Sequence, residues 1–176
     1  MITLIRKTLR KIIKTYYTRK AKKTVKSFKA PLIVNNKSWF NTNTELGENT
    51  NFNGFVVNGK GRLIIGDNFH SGPDCRVILD SHNYQGEALP YDRSYITKDV
   101  IIGDNVWLGH GVLILGGVTI GDGAIIQAGS VVVNDIPKYG IAGGSPAKVF
   151  KYRDKSHYER LLSVGAIHKK SFYNNK

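Results

Sequence analysis

The sequence has a single cysteine, Cys75, among its 176 residues. One cysteine excludes an internal disulfide framework and fits a protein kept in a reducing compartment. No apolar run approaches the roughly 18 residues that a membrane-spanning helix needs. The basic N-terminus also lacks the unbroken apolar segment and small-residue cleavage site of a secretory signal. These absences predict a cytoplasmic protein, with the inner face of the membrane as the alternative location.

Acidic residues are missing from one whole region of the chain. The first 44 residues hold 12 Lys and Arg and no acid, and the first acidic residue is Glu45. Residues 45–176 hold the remaining 14 Lys and Arg against 13 Asp and Glu, a net charge of +1. The net charge of +13 therefore belongs to an N-terminal arm and not to a folded surface that reads nucleic acid, so a nucleic-acid partner is not expected.

Residues 1–29 predict a basic amphipathic helix, because apolar residues recur near helical spacing with Lys and Arg between them. Pro31 is expected to end this helix. A helix of this kind either packs on the body of the protein or binds an anionic membrane surface, and the sequence leaves both possibilities open.

A six-residue period dominates the second half of the chain. Its aliphatic positions are Ile102, Leu108, Ile114, Ile120, Ile126 and Val132. A second series of small or β-branched residues follows four positions later: Val106, Val112, Val118, Ala124 and Ser130. A looser version precedes them at Leu46, Phe52, Ile65, Ser71 and Val77. Neither a helix nor a flat strand repeats every six residues, whereas one side of a parallel β-helix coil does.

Residues 83–99 interrupt this period and predict a protruding loop. A loop of this length on a compact solenoid is usually functional. A short helix is expected near residues 154–170. The chain is thus divided into a basic arm (1–44), a repeat domain (45–152) and a C-terminal helix and tail (153–176).

Five motifs follow one another through the second half of the chain: IGDNVWLG (102–109), GVTIGD (117–122), AGSVV (128–132), DIP (135–137) and GSPAK (144–148). They resemble motifs of the hexapeptide-repeat acyltransferases, and in particular of the O-acetyltransferases that act on sugars and on chloramphenicol- or streptogramin-type drugs. The resemblance implies an all-β protein, a left-handed parallel β-helix with a protruding loop and short terminal helices. It also implies a homotrimer that transfers an acyl group from acetyl-CoA at sites between subunits, without a metal.

Acyl transfer from a thioester to an alcohol needs a base, and a neutral imidazole can take the hydroxyl proton. His82 lies where the period stops and the loop begins, 25 residues before Trp107. The resemblance implies that the catalytic histidine lies at this junction. Asp80 is a candidate for orienting His82 and stabilising its imidazolium, with a backbone carbonyl as the alternative.

The turn at residues 108–111 is a candidate source of N–H donors for the oxyanion, because glycine allows close approach of a ligand. By resemblance, His110 lies near the thioester, the backbone at Ala128 binds the pantetheine arm, and basic residues near the C-terminal end bind the phosphates. The predicted cofactor-binding residues are Trp107, Gly109, His110, Ala128, Gly129, Lys148 and Lys151.

Carboxylate, amide and aromatic side chains of the loop fit a sugar acceptor, and the predicted substrate-binding residues are Asn83, Tyr84, Glu87 and Asp92. The sequence therefore predicts an O-acetyltransferase in surface polysaccharide, lipopolysaccharide or glycolipid synthesis. A xenobiotic O-acetyltransferase is the first alternative. A γ-carbonic-anhydrase-like hydratase needs three zinc-binding histidines, and Leu115 occupies one signature position. A non-catalytic scaffold is the last alternative, and His82 and Lys148 argue against it.

Overall fold

The computed structural model describes residues 2–168, in which a parallel β-helix lies between two helices. Helix α1 (Ile2–Thr24) precedes about six coils of the β-helix, and helix α2 (Lys155–Ser163) follows them. Each coil has three sides, and successive coils stack with their strands in parallel register. The predicted all-β class, the β-helix, the protruding loop and both terminal helices are confirmed.

The three sides of the coils form three sheets. The first sheet contains β1 (Ser27–Phe28), β3 (Thr44–Leu46), β6 (Leu63–Ile65), β11 (Val100–Ile102) and β14 (Thr119–Ile120). The second contains β2 (Leu32–Val34), β4 (Thr50–Phe52), β7 (His70–Ser71), β12 (Trp107–Leu108), β15 (Ile125–Ile126), β17 (Gly140–Gly144) and β18 (Ala147–Tyr152). The third contains β5 (Phe55–Asn58), β8 (Cys75–Ile78), β13 (Leu113–Leu115) and β16 (Val131–Val132). A separate hairpin pairs β9 (Asp80–His82) with β10 (Tyr95–Thr97).

The residues that recur every six positions form the core of the β-helix. All six residues of the main series, from Ile102 to Val132, are at most 1% exposed, and the second series is at most 2% exposed. Each side of a coil turns one main-series residue inward, and the second series fills the corners. The N-terminal coils enclose larger side chains, where Phe52, Phe55 and Phe69 pack ring against ring. Burial of this continuous apolar column is the main stabilising term.

The glycine after several main-series residues is required by the stacking of coils. The carboxylate of Asp104 accepts the N–H of Asp67 at 2.7 Å, and that of Asp122 accepts the N–H of Asp104 at 3.1 Å. A Cβ atom on Gly66 or Gly103 would collide with these carboxylates. The repeated Gly-Asp pair therefore lets each coil hydrogen-bond the coil before it.

An asparagine column runs along the corner between the first and second sheets. Asn49, Asn68 and Asn105 adopt left-handed backbone conformations, with φ between 55° and 58°, which asparagine tolerates better than most residues. Their side-chain amides bond one another at 3.1 and 3.0 Å. The last, Asn105, donates to the hydroxyl of Tyr158 in α2 at 2.8 Å. This column attaches the C-terminal helix to the body.

The β-helix begins earlier than the charge boundary near residue 45. Strand β1 pairs with β3, and β2 pairs with β4, so residues 27–44 contribute to the first coil. The side chains of β2 are all buried. Helix α1 ends at Thr24, before the predicted end at residue 29. The β-helix therefore begins before residue 45, where the first acidic residue occurs, so the change in charge does not coincide with the start of the fold.

Candidate active site

The protruding loop stands on a two-stranded base. Strands β9 and β10 pair antiparallel, with His82 opposite Tyr95, and they lift residues 83–94 away from the corner between the third and first sheets. The backbone N–H of Asn83 donates to the carbonyl of Ser94 at 3.1 Å and extends this pairing. His82 is therefore carried on paired strands that continue directly from a buried coil.

Two tyrosine rings hold the imidazole of His82. Tyr91 stacks on it with ring centroids 3.8 Å apart and planes 10° apart, and Tyr95 packs at 4.6 Å with a tilt of 34°. Stacking covers a ring face and leaves the nitrogen atoms at the ring edge. The side chain of His82 is otherwise exposed. This arrangement restricts the orientation of the ring while its nitrogens remain accessible to a substrate.

Asp80 lies at the base of the hairpin, with its side chain half-buried against the preceding coil. Its Oδ2 atom accepts the backbone N–H of Lys60 at 2.9 Å. Its Oδ1 atom is buried and has no hydrogen-bond partner among residues 2–168. The carboxylate therefore braces the hairpin against the coil. Orientation of His82 by Asp80 stays a prediction, and the tyrosine rings supply part of the restraint expected of it.

The loop is shaped by its own polar side chains. Asn83 donates to the Ser94 hydroxyl at 3.1 Å and accepts the N–H of Gln85 at 3.1 Å. Asp92 accepts the hydroxyl and N–H of Ser94 and the N–H of Glu87. These bonds, the Ser94 hydroxyl first, hold the pKa of the Asp92 carboxyl below its usual value. Asn83 and Asp92 thus brace the loop.

The other two predicted acceptor residues are open to solvent. Tyr84 is 69% exposed, and Glu87 is exposed as well. Their side chains are free to meet a sugar ring or its hydroxyl groups. Contact of all four residues with an acceptor stays a prediction.

The second group of predicted residues lies at the corner between the second and third sheets. The N–H of Gly109 donates to the Ile126 carbonyl, and the N–H of Gly111 donates to the Pro73 carbonyl, both at 2.8 Å. The expectation that these two glycines offer free N–H donors to an oxyanion is therefore wrong, because stacking between coils already uses both groups. The remaining donor candidate in this turn is His110.

His110 is exposed, and its Nε2 atom lies 3.7 Å from Oδ2 of Asp74. Directly along the same corner, Ala128 and Gly129 are exposed on the next coil, and Gly129 donates its N–H to the His110 carbonyl at 2.8 Å. The corner thus forms a narrow strip of small residues beside one imidazole. Such a strip admits a flat, amide-rich chain close to the backbone.

Comparisons with known proteins agree with this geometry. The model for the bacterial transferase hexapeptide (six repeats) family matches residues 99–134. The galactoside O-acetyltransferase of Escherichia coli K12 is 36% identical over 130 residues, which are 71% of this chain and 63% of that protein. The structure of a maltose O-acetyltransferase from Clostridium difficile 630 aligns with a TM-score of 0.61 and 32% identity, over 73% of this chain and 67% of that one. The chain belongs to the hexapeptide-repeat acetyltransferases.

A hexapeptide-repeat acetyltransferase from Vibrio cholerae, solved with acetyl-CoA, aligns with a TM-score of 0.64 and 28% identity, over 76% of this chain and 74% of that one. This chain spans less than two thirds of the length of the Escherichia coli relative.

Trp107 projects from β12, between His70 and Ile125 of the neighbouring strands. The indole is 52% exposed and lines a cavity of about 430 Å³ between the second sheet and α2. Arg153 and Tyr158 line the same cavity. Burial lowers the pKa of the Arg153 guanidinium, and its Nε atom has no partner among residues 2–168. The sequence patterns did not identify Arg153.

The predicted phosphate-binding lysines lie on the last strand of the β-helix. Lys148 and Lys151 are both exposed on β18, which pairs antiparallel with β17 at the edge of the second sheet. Two ammonium groups at a sheet edge act as point charges for phosphate. Their role in binding CoA stays a prediction.

Cys75 has a structural place in the β-helix. Its thiol is buried and donates to the Gly109 carbonyl at 3.1 Å. Burial raises the pKa of the thiol to about 11. A thiol in this state is a poor nucleophile at neutral pH, so Cys75 is not a candidate for covalent acyl transfer.

The two groups of candidate residues lie at different corners of the three-sided β-helix. The hairpin with His82 leaves the corner between the third and first sheets, whereas His110 and Ala128 lie at the corner between the second and third. The whole third sheet separates them. One chain therefore presents the candidate base at one corner and the candidate wall for the donor at another.

Proposed function

We propose that this protein is an O-acetyltransferase that moves the acetyl group of acetyl-CoA to a sugar hydroxyl. The observation that carries the proposal is His82, an accessible imidazole held by the rings of Tyr91 and Tyr95 on a hairpin rooted in the coils. Relatives named for galactoside and maltose O-acetylation support the same reaction.

The reaction needs a group that takes the proton of the acceptor hydroxyl and later gives a proton to the leaving sulfur. A nitrogen of His82 takes the proton of the acceptor hydroxyl as its oxygen attacks the thioester carbonyl carbon. The new C–O bond gives a tetrahedral oxyanion, for which His110 is the candidate donor. Collapse of the oxyanion breaks the C–S bond. The leaving sulfur receives the proton from His82, so the products are an acetyl ester and free CoA thiol.

A homotrimer with sites between subunits completes this arrangement. His82 and the strip at Ala128 and Gly129 belong to different corners of one chain. In a cyclic assembly, a corner of one subunit faces a different corner of its neighbour. The base of one subunit would then meet the donor wall of the next, and Lys148 and Lys151 would bind the CoA phosphates.

The acceptor we propose is a sugar of a surface polysaccharide, a lipopolysaccharide or a glycolipid. Tyr84 and Glu87 at the exposed loop suit a sugar ring and its hydroxyl groups. Residues 1–29, with their basic helix, would bring the enzyme to the inner face of the membrane, where lipid-linked acceptors are found.

The reaction is tested by measuring thiol release from acetyl-CoA with a panel of free sugars, glycolipids and antibiotic alcohols. The expected result is acceptor-dependent thiol release, with sugar-containing acceptors giving the highest kcat/KM. Highest activity on chloramphenicol- or macrolide-type alcohols would replace the sugar proposal with the xenobiotic one. Thiol release that no acceptor increases would reject both.

A further inference from the structure

The C-terminal half of α1 is fixed to the first coil by one side of the helix. Thr18 accepts the N–H of Val34 at 2.9 Å through its hydroxyl oxygen, and that hydroxyl lies 3.3 Å from the Val34 carbonyl. Ala21 is 3% exposed, and the ring of Tyr17 packs near Trp39. These contacts leave the opposite side of the helix facing away from the protein.

That opposite side carries an apolar stripe. Ile5, Leu9, Ile12 and Tyr16 are between 54% and 60% exposed. At 100° per residue they fall within roughly 60° of one another, and their centre lies about 160° from the anchoring side. The stripe cannot pack on its own β-helix without breaking the Thr18 anchor, so it has no partner among residues 2–168.

The charge of the helix is of one sign. Within α1 every ionisable side chain other than tyrosine is a Lys or an Arg, and the helix has no acidic residue. An open groove of about 710 Å³ runs along the exposed side, where Ile12 and Tyr16 lie between Lys11, Lys20 and Lys23. This arrangement fits a phospholipid, because the apolar side chains can contact an acyl chain while the ammonium groups bind the phosphate.

We propose that α1 binds an anionic lipid surface through this stripe, with the helix lying in the headgroup region and the anchored half holding the β-helix beside it. The exposed apolar side chains favour a membrane over a nucleic acid, which would need the cations alone. Within residues 2–168 no helix is long and apolar enough to cross a bilayer. This surface deepens the membrane contact proposed above, and it can be tested without measuring turnover.

The test is co-sedimentation of the full chain with vesicles of phosphatidylglycerol and phosphatidylcholine, or of phosphatidylcholine alone. A triple variant, Ile5→Gln/Leu9→Gln/Ile12→Gln, removes apolar surface and leaves the charge unchanged. A control variant, Thr8→Gln, changes an exposed residue of the same helix that lies outside both the stripe and the groove. Light scattering in the absence of lipid gives the oligomeric state of each protein.

The wild-type chain and the control variant are expected to partition at least about tenfold more strongly onto the anionic vesicles, and this preference should fall as salt is added. The triple variant is expected to lose at least about tenfold of that binding, at an unchanged oligomeric state and with unchanged thiol release on a soluble acceptor. Equal binding of triple and control variants would overturn the proposal. A smaller oligomer for the triple variant would instead assign the stripe to a second copy of the chain.

Discussion

The coils between residues 100 and 132 and the hairpin between residues 80 and 97 are built by opposite rules. In the coils, every sixth side chain is buried and the backbone groups bond the neighbouring coil. In the hairpin, the side chains of His82, Tyr91 and Tyr95 are exposed, and each tyrosine ring contacts the imidazole. The coils therefore determine stability, and the hairpin carries the groups suited to chemistry. Substitutions in the two regions should separate these properties.

The largest effect is expected for His82→Ala. Loss of a general base reduces kcat by about a hundredfold to ten-thousandfold. The thermal midpoint should stay within a few degrees of wild type, because His82 is exposed and lies outside the core. Thiol release and thermal unfolding measured on the same preparations test this, with Ser81→Ala on the same strand as the control. Near-normal turnover of the His82 variant would reject the mechanism.

Ile120→Ala in the coils is expected to have the reverse effect of His82→Ala, because it should lower stability and leave turnover nearly unchanged. Ile120 is fully buried, and truncating it should lower the free energy of unfolding by about 2–5 kcal/mol. Turnover at temperatures where the variant is folded should change little. Ile101→Ala removes the same atoms from a half-exposed position on the neighbouring strand and should cost less than about 1 kcal/mol. Denaturant unfolding compares the two, and equal losses would contradict the assignment of the period to the core.

Tyr91 tests whether stacking positions the base. Tyr91→Leu removes the ring that lies 3.8 Å from the imidazole and should lower kcat by about tenfold with KM for acetyl-CoA unchanged. Tyr91→Phe keeps the ring and should retain most of the activity. The imidazole proton resonances of His82 should lose the part of their ring-current shift that comes from Tyr91 in the Leu variant and keep it in the Phe variant, while the part from Tyr95 remains in both. A rise in KM without a fall in kcat would assign Tyr91 to substrate binding.

The smallest effect concerns the acid sensitivity of the loop. Hydrogen bonds lower the pKa of Asp92 in the folded protein. Their contribution is therefore complete above the unfolded-state pKa of about 3.9 and is lost as the pH falls through the lower folded value. Protection of the Glu87 and Ser94 amides from hydrogen exchange should fall over this acidic range. Asp92→Asn should remove the pH dependence, and identical profiles for both proteins would contradict it.

The sequence predicted those features that repeat locally. The period from Ile102 to Val132 encodes the coils, because each hexapeptide turns one side chain inward whatever its neighbours do. The first coil, residues 27–44, escaped this pattern because its buried residues, such as those of β2, are too few to form a periodic series. The aliphatic series likewise does not indicate that hydrogen bonds between stacked coils use the N–H groups of Gly109 and Gly111.

Parts of the site depend on three-dimensional contacts that no spacing encodes. The sequence predicts His82 as the base from its place at the end of the period and from the family resemblance, and this role stays a prediction. Tyr95 becomes its neighbour through the antiparallel register of β9 and β10, which follows only when the hairpin is known. Tyr91 reaches the imidazole through the conformation of an irregular loop, and Arg153 reaches the cavity beside Trp107 because α2 packs over it.

In the proposed mechanism, one chain supplies the base and its neighbour supplies the wall for the donor. Activity of mixed oligomers tests it most directly, with His82→Ala subunits co-assembled with Ala128→Phe subunits, each of which should be inactive alone. If sites are shared, random mixing in equal amounts should restore about a quarter of the wild-type sites, because a site then needs an intact base from one subunit and an intact wall from the next. Absence of any recovered thiol release in assembled mixtures would contradict the account.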